Sequence, residues 1–200
     1  MKDVKKVKQE IQQVNEAIFN ILNYYTCPPD CHSFCCNVCP VDLTDKEYNK
    51  LRRLSCEKTD KSKVVKYRRA YVHQLDKPCP FLGSDELCTA YIIRPVTCHI
   101  YPFNMTETLP PLMQIFPCMM GKEIYKDYFE YKIYKIKKNN DIGINQAKAE
   151  ISEALRGLDE RSNSYYLSTD EDDNVKTIVL TFSEIFDFLD YLNVTNAVRK

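Results

Sequence analysis

Cys27-Pro28-Pro29-Asp30-Cys31-His32-Ser33-Phe34-Cys35-Cys36-Asn37-Val38-Cys39 puts five thiols into 13 residues. Cys27, Cys31 and Cys35 recur every four residues, a helical spacing, but Pro28-Pro29 favours a compact loop wrapped around a centre. Working outward, Cys79, Cys88, Cys98 and Cys118 follow at wide spacing, and Cys56 stands apart. All ten cysteines and all ten prolines of the 200-residue chain fall between Cys27 and Cys118. Three segments are therefore expected: an N-terminal helix over 1–26, a cysteine-cluster module over 27–121, and a helical and hairpin segment over 122–200. A module of that size often needs a staple such as a metal.

The thiols point to a metal for an electrostatic reason. Thiolate is the metal-binding form of cysteine. Two thiolates 4 Å apart repel by about 4 kcal/mol at an effective dielectric of 20. A cation removes that conflict, and a structural zinc site supplies roughly 10–16 kcal/mol of folding energy, against roughly 2–4 kcal/mol for a disulfide. Soft sulfur selects zinc, copper(I) or iron–sulfur clusters. Spacing does not choose between them. Cys36-x2-Cys39 is half of a zinc knuckle without a second CxxC, and the ferredoxin run C-x2-C-x2-C-x3-C is absent. A CxxxCxxC arrangement would need cysteine at 34 or 38, where Phe34 and Val38 stand. Cys35 and Cys36 are adjacent, so they serve two centres, or one serves while the other packs. Cys56, and to a lesser extent Cys39, read as ordinary packed cysteines.

The flanks read as regular structure. Val4, Val7, Ile11, Val14, Ile18, Ile21 and Tyr25 alternate steps of three and four, a helix whose seam packs on its own domain or on a second copy. Thr44 and Glu47 form a capping box with Leu43 and Tyr48 as its staple, and that helix should reach about Leu54. Residues 64–74 fit strand or helix. From Lys77 to Pro117 the prolines allow turns and short strands, with a tight hairpin around Gly83-Ser84-Asp85. Residues 122–138 form a helix with a tyrosine face and solvated lysines; 145–156 form another. Tyr165–Leu167 and Val175–Leu180 read as strands around the acidic turn Asp170–Asn174. A second capping box, Thr181 with Glu184, starts a helix that buries Ile185, Phe188, Leu189 and Leu192. The fold class is α+β.

Composition excludes several functions. Lys and Arg balance Asp and Glu at 28 each, so net charge favours neither nucleic acid nor membrane as partner. No apolar run approaches the roughly 18 residues of a membrane helix, and the N-terminus lacks a signal-peptide core. A cytoplasmic location is expected, where cysteines stay reduced. Gly83, Gly121, Gly143 and Gly157 are the whole glycine complement, too few for a P-loop or a dinucleotide fingerprint.

Several blocks then become familiar in order. Cys27-x3-Cys31-x3-Cys35-Cys36 is followed by Val41-Asp42-Leu43-Thr44-Asp45-Lys46-Glu47, Cys79-Pro80-Phe81-Leu82, Cys88-x2-Tyr91-x2-Arg94-Pro95-x2-Cys98, Tyr101-Pro102-Phe103 and Cys118-Met119-Met120-Gly121-Lys122. Over residues 27–122 the chain resembles the CxxCxxCC cysteine-cluster family, the YkgJ-like zinc- or iron-chelating domains. It departs in one respect: the family opens C-x2-C-x2-C-C, and here each gap holds three residues. The resemblance implies Cys27, Cys31, Cys35, Cys36, Cys79, Cys88, Cys98 and Cys118 as metal ligands. It implies zinc or an iron–sulfur cluster, 4Fe-4S included. Three roles are compatible with it. One is a binding protein with a structural or sensory centre. Another is an iron–sulfur enzyme for redox chemistry or protein lysine methylation, as described for flagellin-methylating relatives. The last is metal handling, with the ion passed to a protein client. His32 and His99 adjoin cysteines and are weaker ligand candidates. Arg94 is expected to face a cluster sulfur or a carboxylate, and His73 reads as an ordinary histidine.

Overall fold

A computed structural model describes residues 4–67, 70–106, 111–116, 118–140, 143–146, 148–149 and 178–199. The architecture is α+β, in two compact units. Pro28–Tyr101 forms one; Met1–Cys27 and Pro102–Lys200 together form the other, so the first is inserted in the second.

Among the described residues, three long helices carry the discontinuous unit. In α1 (Val4–Leu22) the expected seam buries Val14, Ile18 and Ile21, with Ala17 beside them, while Val7 and Ile11 stay half-exposed. α1 packs along α7 (Phe182–Arg199), where Tyr24 Oη donates to Asn193 Oδ1 at 2.5 Å. Past the end of α1, Tyr25 Oη donates to Asp127 Oδ2 at 2.8 Å on α6 (Met119–Asn140). Burial first, and the Asp127 carboxylate second, push that phenol well above its ordinary range. The second capping box closes as expected: the Thr181 amide donates to Glu184 Oε2 at 3.0 Å and the Glu184 amide to Thr181 Oγ1 at 3.3 Å. Ile185, Phe188 and Leu192 are buried, and Leu189 half-buried. The Phe188 ring meets Tyr128 edge-on, with centroids 5.5 Å apart, and Tyr131 at 5.8 Å.

A small antiparallel sheet completes this unit. Its order is β4 (Phe103–Met105), β5 (Met113–Ile115), β6 (Ile178–Leu180), with Phe103 opposite Ile115 and Met113 opposite Leu180. Tyr125 Oη on α6 donates to the Ile115 carbonyl, anchoring helix to sheet. The strand expected at Tyr165–Leu167, the acidic turn and most of the 145–156 helix lie outside the described residues.

The inserted unit carries a second antiparallel sheet, of order β1 (Val41–Leu43), β3 (Ala70–Leu75), β2 (Lys63–Tyr67). The ambiguous stretch 64–74 is thus a hairpin, with Val65 opposite Val72. Three valines and two tyrosines near its tip suit the pleated surface better than a helix. Thr44 caps α3 (Asp45–Leu54) in the expected reciprocal box, and Ser55 caps the short α4 (Cys56–Thr59). Val41, Leu43, Leu51, Leu75, Phe81 and Ala90 form its core, with Tyr48, Cys79, Cys88, Ile93 and Cys98 packed against it. Among the described residues no helix is long and apolar enough to cross a membrane.

Candidate metal centre

The cysteine run folds as two short helical pieces joined by a reversal. Pro29–Cys31 is a 3-10 turn; then His32 and Ser33 take left-handed φ values of 47° and 53°. Without glycine such a pair is costly, and side-chain bonds hold it. Asn37 Nδ2 donates to the His32 carbonyl at 3.0 Å, and Ser33 Oγ donates to the Glu86 carbonyl. The reversal starts α2 (Phe34–Val38), which carries Cys35 and Cys36. The Cys36 carbonyl accepts from the Cys79 amide at 2.7 Å, tying α2 to the Cys79-Pro80-Phe81-Leu82 turn.

That turn folds back on its first residue, the Leu82 amide donating to the Cys79 carbonyl at 2.9 Å. The expected tight hairpin follows: Leu82 bridges Cys88, and the Gly83 amide donates to the Leu87 carbonyl at 2.8 Å. Pro95 then starts α5 (Val96–Ile100), its carbonyl accepting from the Cys98 and His99 amides, both at 3.0 Å. The Val96 amide donates to Glu47 Oε1 at 2.8 Å, so the carboxylate that caps α3 also seats α5. Cys79, Cys88 and Cys98 are all half-buried.

These thiols sense one another. Burial, then Cys79, Cys35 and Cys88 in turn, push Cys98 up to about 12, while Arg94 pulls it down. Burial also raises Cys79; the Phe81 and Leu82 amides oppose it, and Cys88 and Cys35 add to it. The hydrogen bond between the free Cys35 and Cys36 thiols, followed by burial, drives Cys35 far above the ordinary thiol range. Cys35, Cys79, Cys88 and Cys98 therefore form one electrostatic group, with Cys36 against Cys35. No three Cys, His, Asp or Glu side chains converge at ligand distance among the described residues. The two observations agree physically. Charges couple well beyond the roughly 4 Å between sulfurs of a zinc tetrahedron, and neutral thiols have no reason to close that gap unaided. Their chemistry nonetheless fits a soft cation: thiols that cannot ionise together alone, two amides that favour thiolate at Cys79, and an apolar wall behind.

The remaining sequence candidates lie elsewhere. Cys31 ends the 3-10 turn in the same unit. Cys27 and Cys118 belong to the discontinuous unit. There the exposed Cys27 Sγ lies 3.9 Å from Met120 Sδ, and the buried Cys118 Sγ accepts from the Gly121 amide at 3.3 Å. Cys39 Sγ lies 3.9 Å from Tyr101 Oη, and the exposed Cys56 Sγ donates to the Arg52 carbonyl at 3.3 Å. His32 pairs with Glu86 at 3.1 Å, and His73 stacks on Tyr48 at 3.7 Å. Among the described residues Arg94 makes no hydrogen bond or ion pair with a sulfur or a carboxylate, although its charge lowers Cys98. Its Nε donates to His99 Nδ1 at 3.1 Å, and its guanidinium lies 4.2 Å over the Tyr91 ring. Burial, then Arg94, hold His99 below its ordinary value.

A family model described as "CxxCxxCC: Putative zinc- or iron-chelating domain" matches residues 26–140. The chain belongs to the CxxCxxCC family. The match takes in the whole inserted unit and runs to the end of α6. No curated protein and no solved structure matches the chain. Within this CxxCxxCC domain, two contributors went unread in the sequence: the Phe81 and Leu82 amides, and the α2-to-Cys79 backbone bond. The proline after Cys79 was the available signal for the first, because Cys-Pro opens a turn that brings later amides back towards the sulfur. The second is non-local and carried no signal.

Proposed function

We propose that this CxxCxxCC protein holds one soft metal centre in its inserted unit, with Cys35, Cys79, Cys88 and Cys98 as thiolate ligands. The centre is zinc or an iron–sulfur cluster, and its role is structural or sensory. The observation that carries this reading is the packing of Cys79, Cys88 and Cys98 against one apolar core, with α2 tied to Cys79 by the Cys36 carbonyl at 2.7 Å. The ligands come from three separate stretches, so a bound ion would cross-link the unit where its short strands and turns are weakest. Cys36 and Cys31 are the reserve thiols of the same unit. Cys27 and Cys118 are assigned no part in this centre.

Anaerobic purification of the untagged protein, with a visible spectrum and metal analysis on one sample, tests the proposal. Broad visible absorption with iron and sulfide identifies a cluster; a colourless protein with stoichiometric zinc identifies a zinc site. Cys98→Ser should empty the centre, and Cys56→Ser should leave it filled. Retention of metal by Cys98→Ser, or absence of metal from the native protein, defeats the reading.

A further inference from the structure

The discontinuous unit contains a repeating ladder between α6 and α7. On α6, Lys132 lies over the Tyr128 ring, Lys135 over Tyr131 and Lys138 over Tyr134, at 5.4, 5.6 and 5.9 Å. Each lysine is four residues after its ring, the spacing that places two side chains together on a helix face. On α7, acids recur at the matching step: Glu184, Asp187 and Asp190. The first two rungs close. Lys132 pairs with Glu184, and Lys135 pairs with Asp187 at 2.7 Å while also donating to Tyr131 Oη at 3.0 Å. The third stays open: among the described residues Lys138 and Asp190 make no ion pair.

A cavity of about 370 Å³ lies along the second and third rungs, bordered by Tyr134, Lys138, Asp190 and Tyr191 and, from the closed rung, by Lys135 and Asp187. The Tyr134 and Tyr191 rings form its aromatic corner, with centroids 5.5 Å apart and planes inclined at 44°. Its volume is at the small end of ligand sites, which run from about 300 to 1,000 Å³. An ammonium and a carboxylate that do not pair with each other therefore flank two rings.

We propose that this cavity binds a small zwitterion with an aromatic side chain, a free α-amino acid or the like. Its carboxylate pairs with Lys138, its ammonium with Asp190, and its side chain lies on Tyr134 and Tyr191. The ligand completes the third rung as Glu184 and Asp187 complete the first two. The class follows from charge complementarity: a cation alone would leave Lys138 unpaired, an anion alone would leave Asp190 unpaired, and a charged molecule without a ring would leave the aromatic corner wet.

Titration of the full-length protein with L-phenylalanine, followed by amide chemical shifts, tests the proposal. Saturable shifts are expected at Asn139, Asp190 and Tyr191, with millimolar dissociation constants. Phenylalaninamide and N-acetylphenylalanine each lack one charge and should bind about three- to fivefold more weakly, the scale of one exposed ion pair. Lys138→Gln and Asp190→Asn should each lose a similar factor; both side chains are exposed, so folding is preserved. Glycine should bind most weakly. Absence of saturation at about 10 mM, or equal binding of the amide and the free acid, overturns the proposal. The analogue series on the native protein decides it even without the variants.

Discussion

Gly121→Ala should destabilise the discontinuous unit, although alanine is the better helix former. Gly121 lies in the first turn of α6, and a Cβ built on it would stand 2.0 Å from the Phe116 carbonyl oxygen and 3.2 Å from its carbon. Relief needs a displacement of about 1 Å, as ordinary packing places such atoms more than 3 Å apart. The obstacle is backbone, and it is tied at both ends. The Phe116 amide donates to the Pro102 carbonyl at 2.8 Å, and the Phe116 carbonyl accepts from the Cys118 amide at 2.9 Å. Overpacking of this kind costs about 1–3 kcal/mol, and a weakened hydrogen bond adds about 1 kcal/mol. Replacing glycine inside a helix returns about 1 kcal/mol. The net loss is about 1–3 kcal/mol, a fall in melting temperature of about 2–12 °C for a chain of this length. Gly143→Ala is the matched control, since nothing lies within 4 Å of its added Cβ. Urea unfolding of both variants beside the native protein measures the difference. If Gly121→Ala unfolds at the same or a higher midpoint, the close approach of Phe116 is not a constraint and the reasoning fails.

Phe188→Ala should cost about 3–5 kcal/mol, because it empties a fully buried position ringed by Tyr128 and Tyr131; a denaturation midpoint near that of the native protein would contradict this packing. Burial pushes the Glu184 carboxyl up, but the Lys132 ammonium and the Thr181 amide and hydroxyl outweigh it and hold it at about 2, against an ordinary 4.5. A lowered folded value means stability that is present above about 4.5 and lost as pH falls from there towards 2. Discounted for the exposure of both partners, it amounts to about 1–2 kcal/mol. Glu184→Gln should therefore be less stable than the native protein at pH 6, and the gap should shrink to about 0.4 kcal/mol or less by pH 2; an unchanged gap would count against the pair. In metal-free protein at pH 8, alkylation should reach the exposed Cys56 at least about a hundredfold faster than Cys98, whose thiol is held at about 12. Mass mapping after timed quenching reads this order, and early labelling of Cys98 would refute it.

What was legible in the sequence was local. Both capping boxes, the α1 seam and the Gly83 hairpin depend on residues within one or two turns of each other, where composition and spacing carry the geometry. The 64–74 segment stayed open because its apolar residues fit either period. Its strand character comes from pairing with β1, through contacts between Leu43 and His73 and between Val41 and Leu75. The left-handed pair His32-Ser33 carries no glycine or asparagine to announce it. The grouping of Cys35 with Cys79, Cys88 and Cys98 depends on a backbone bond across some forty residues of sequence. Adjacency would instead have grouped Cys35 with Cys27, which belongs to the other unit. The lysines of α6, read as solvated, turn out to be rungs of the ladder to α7, because a helix pattern cannot show which acids its neighbour offers.

The insertion has a consequence for order of assembly. α1 leaves the synthesis machinery before its partners on α6 and α7, which arrive only after Pro28–Tyr101 has been made. Until then the apolar stripe of Val14, Ile18 and Ile21 has nothing of its own unit to cover it, and the chain between is a long loop whose closure is entropically costly. Folding of the inserted unit shortens that loop before α1 has to find its site. Any ligand that favours the folded insert would therefore speed completion of the discontinuous unit, and a destabilised insert would delay that unit with all of its own contacts intact.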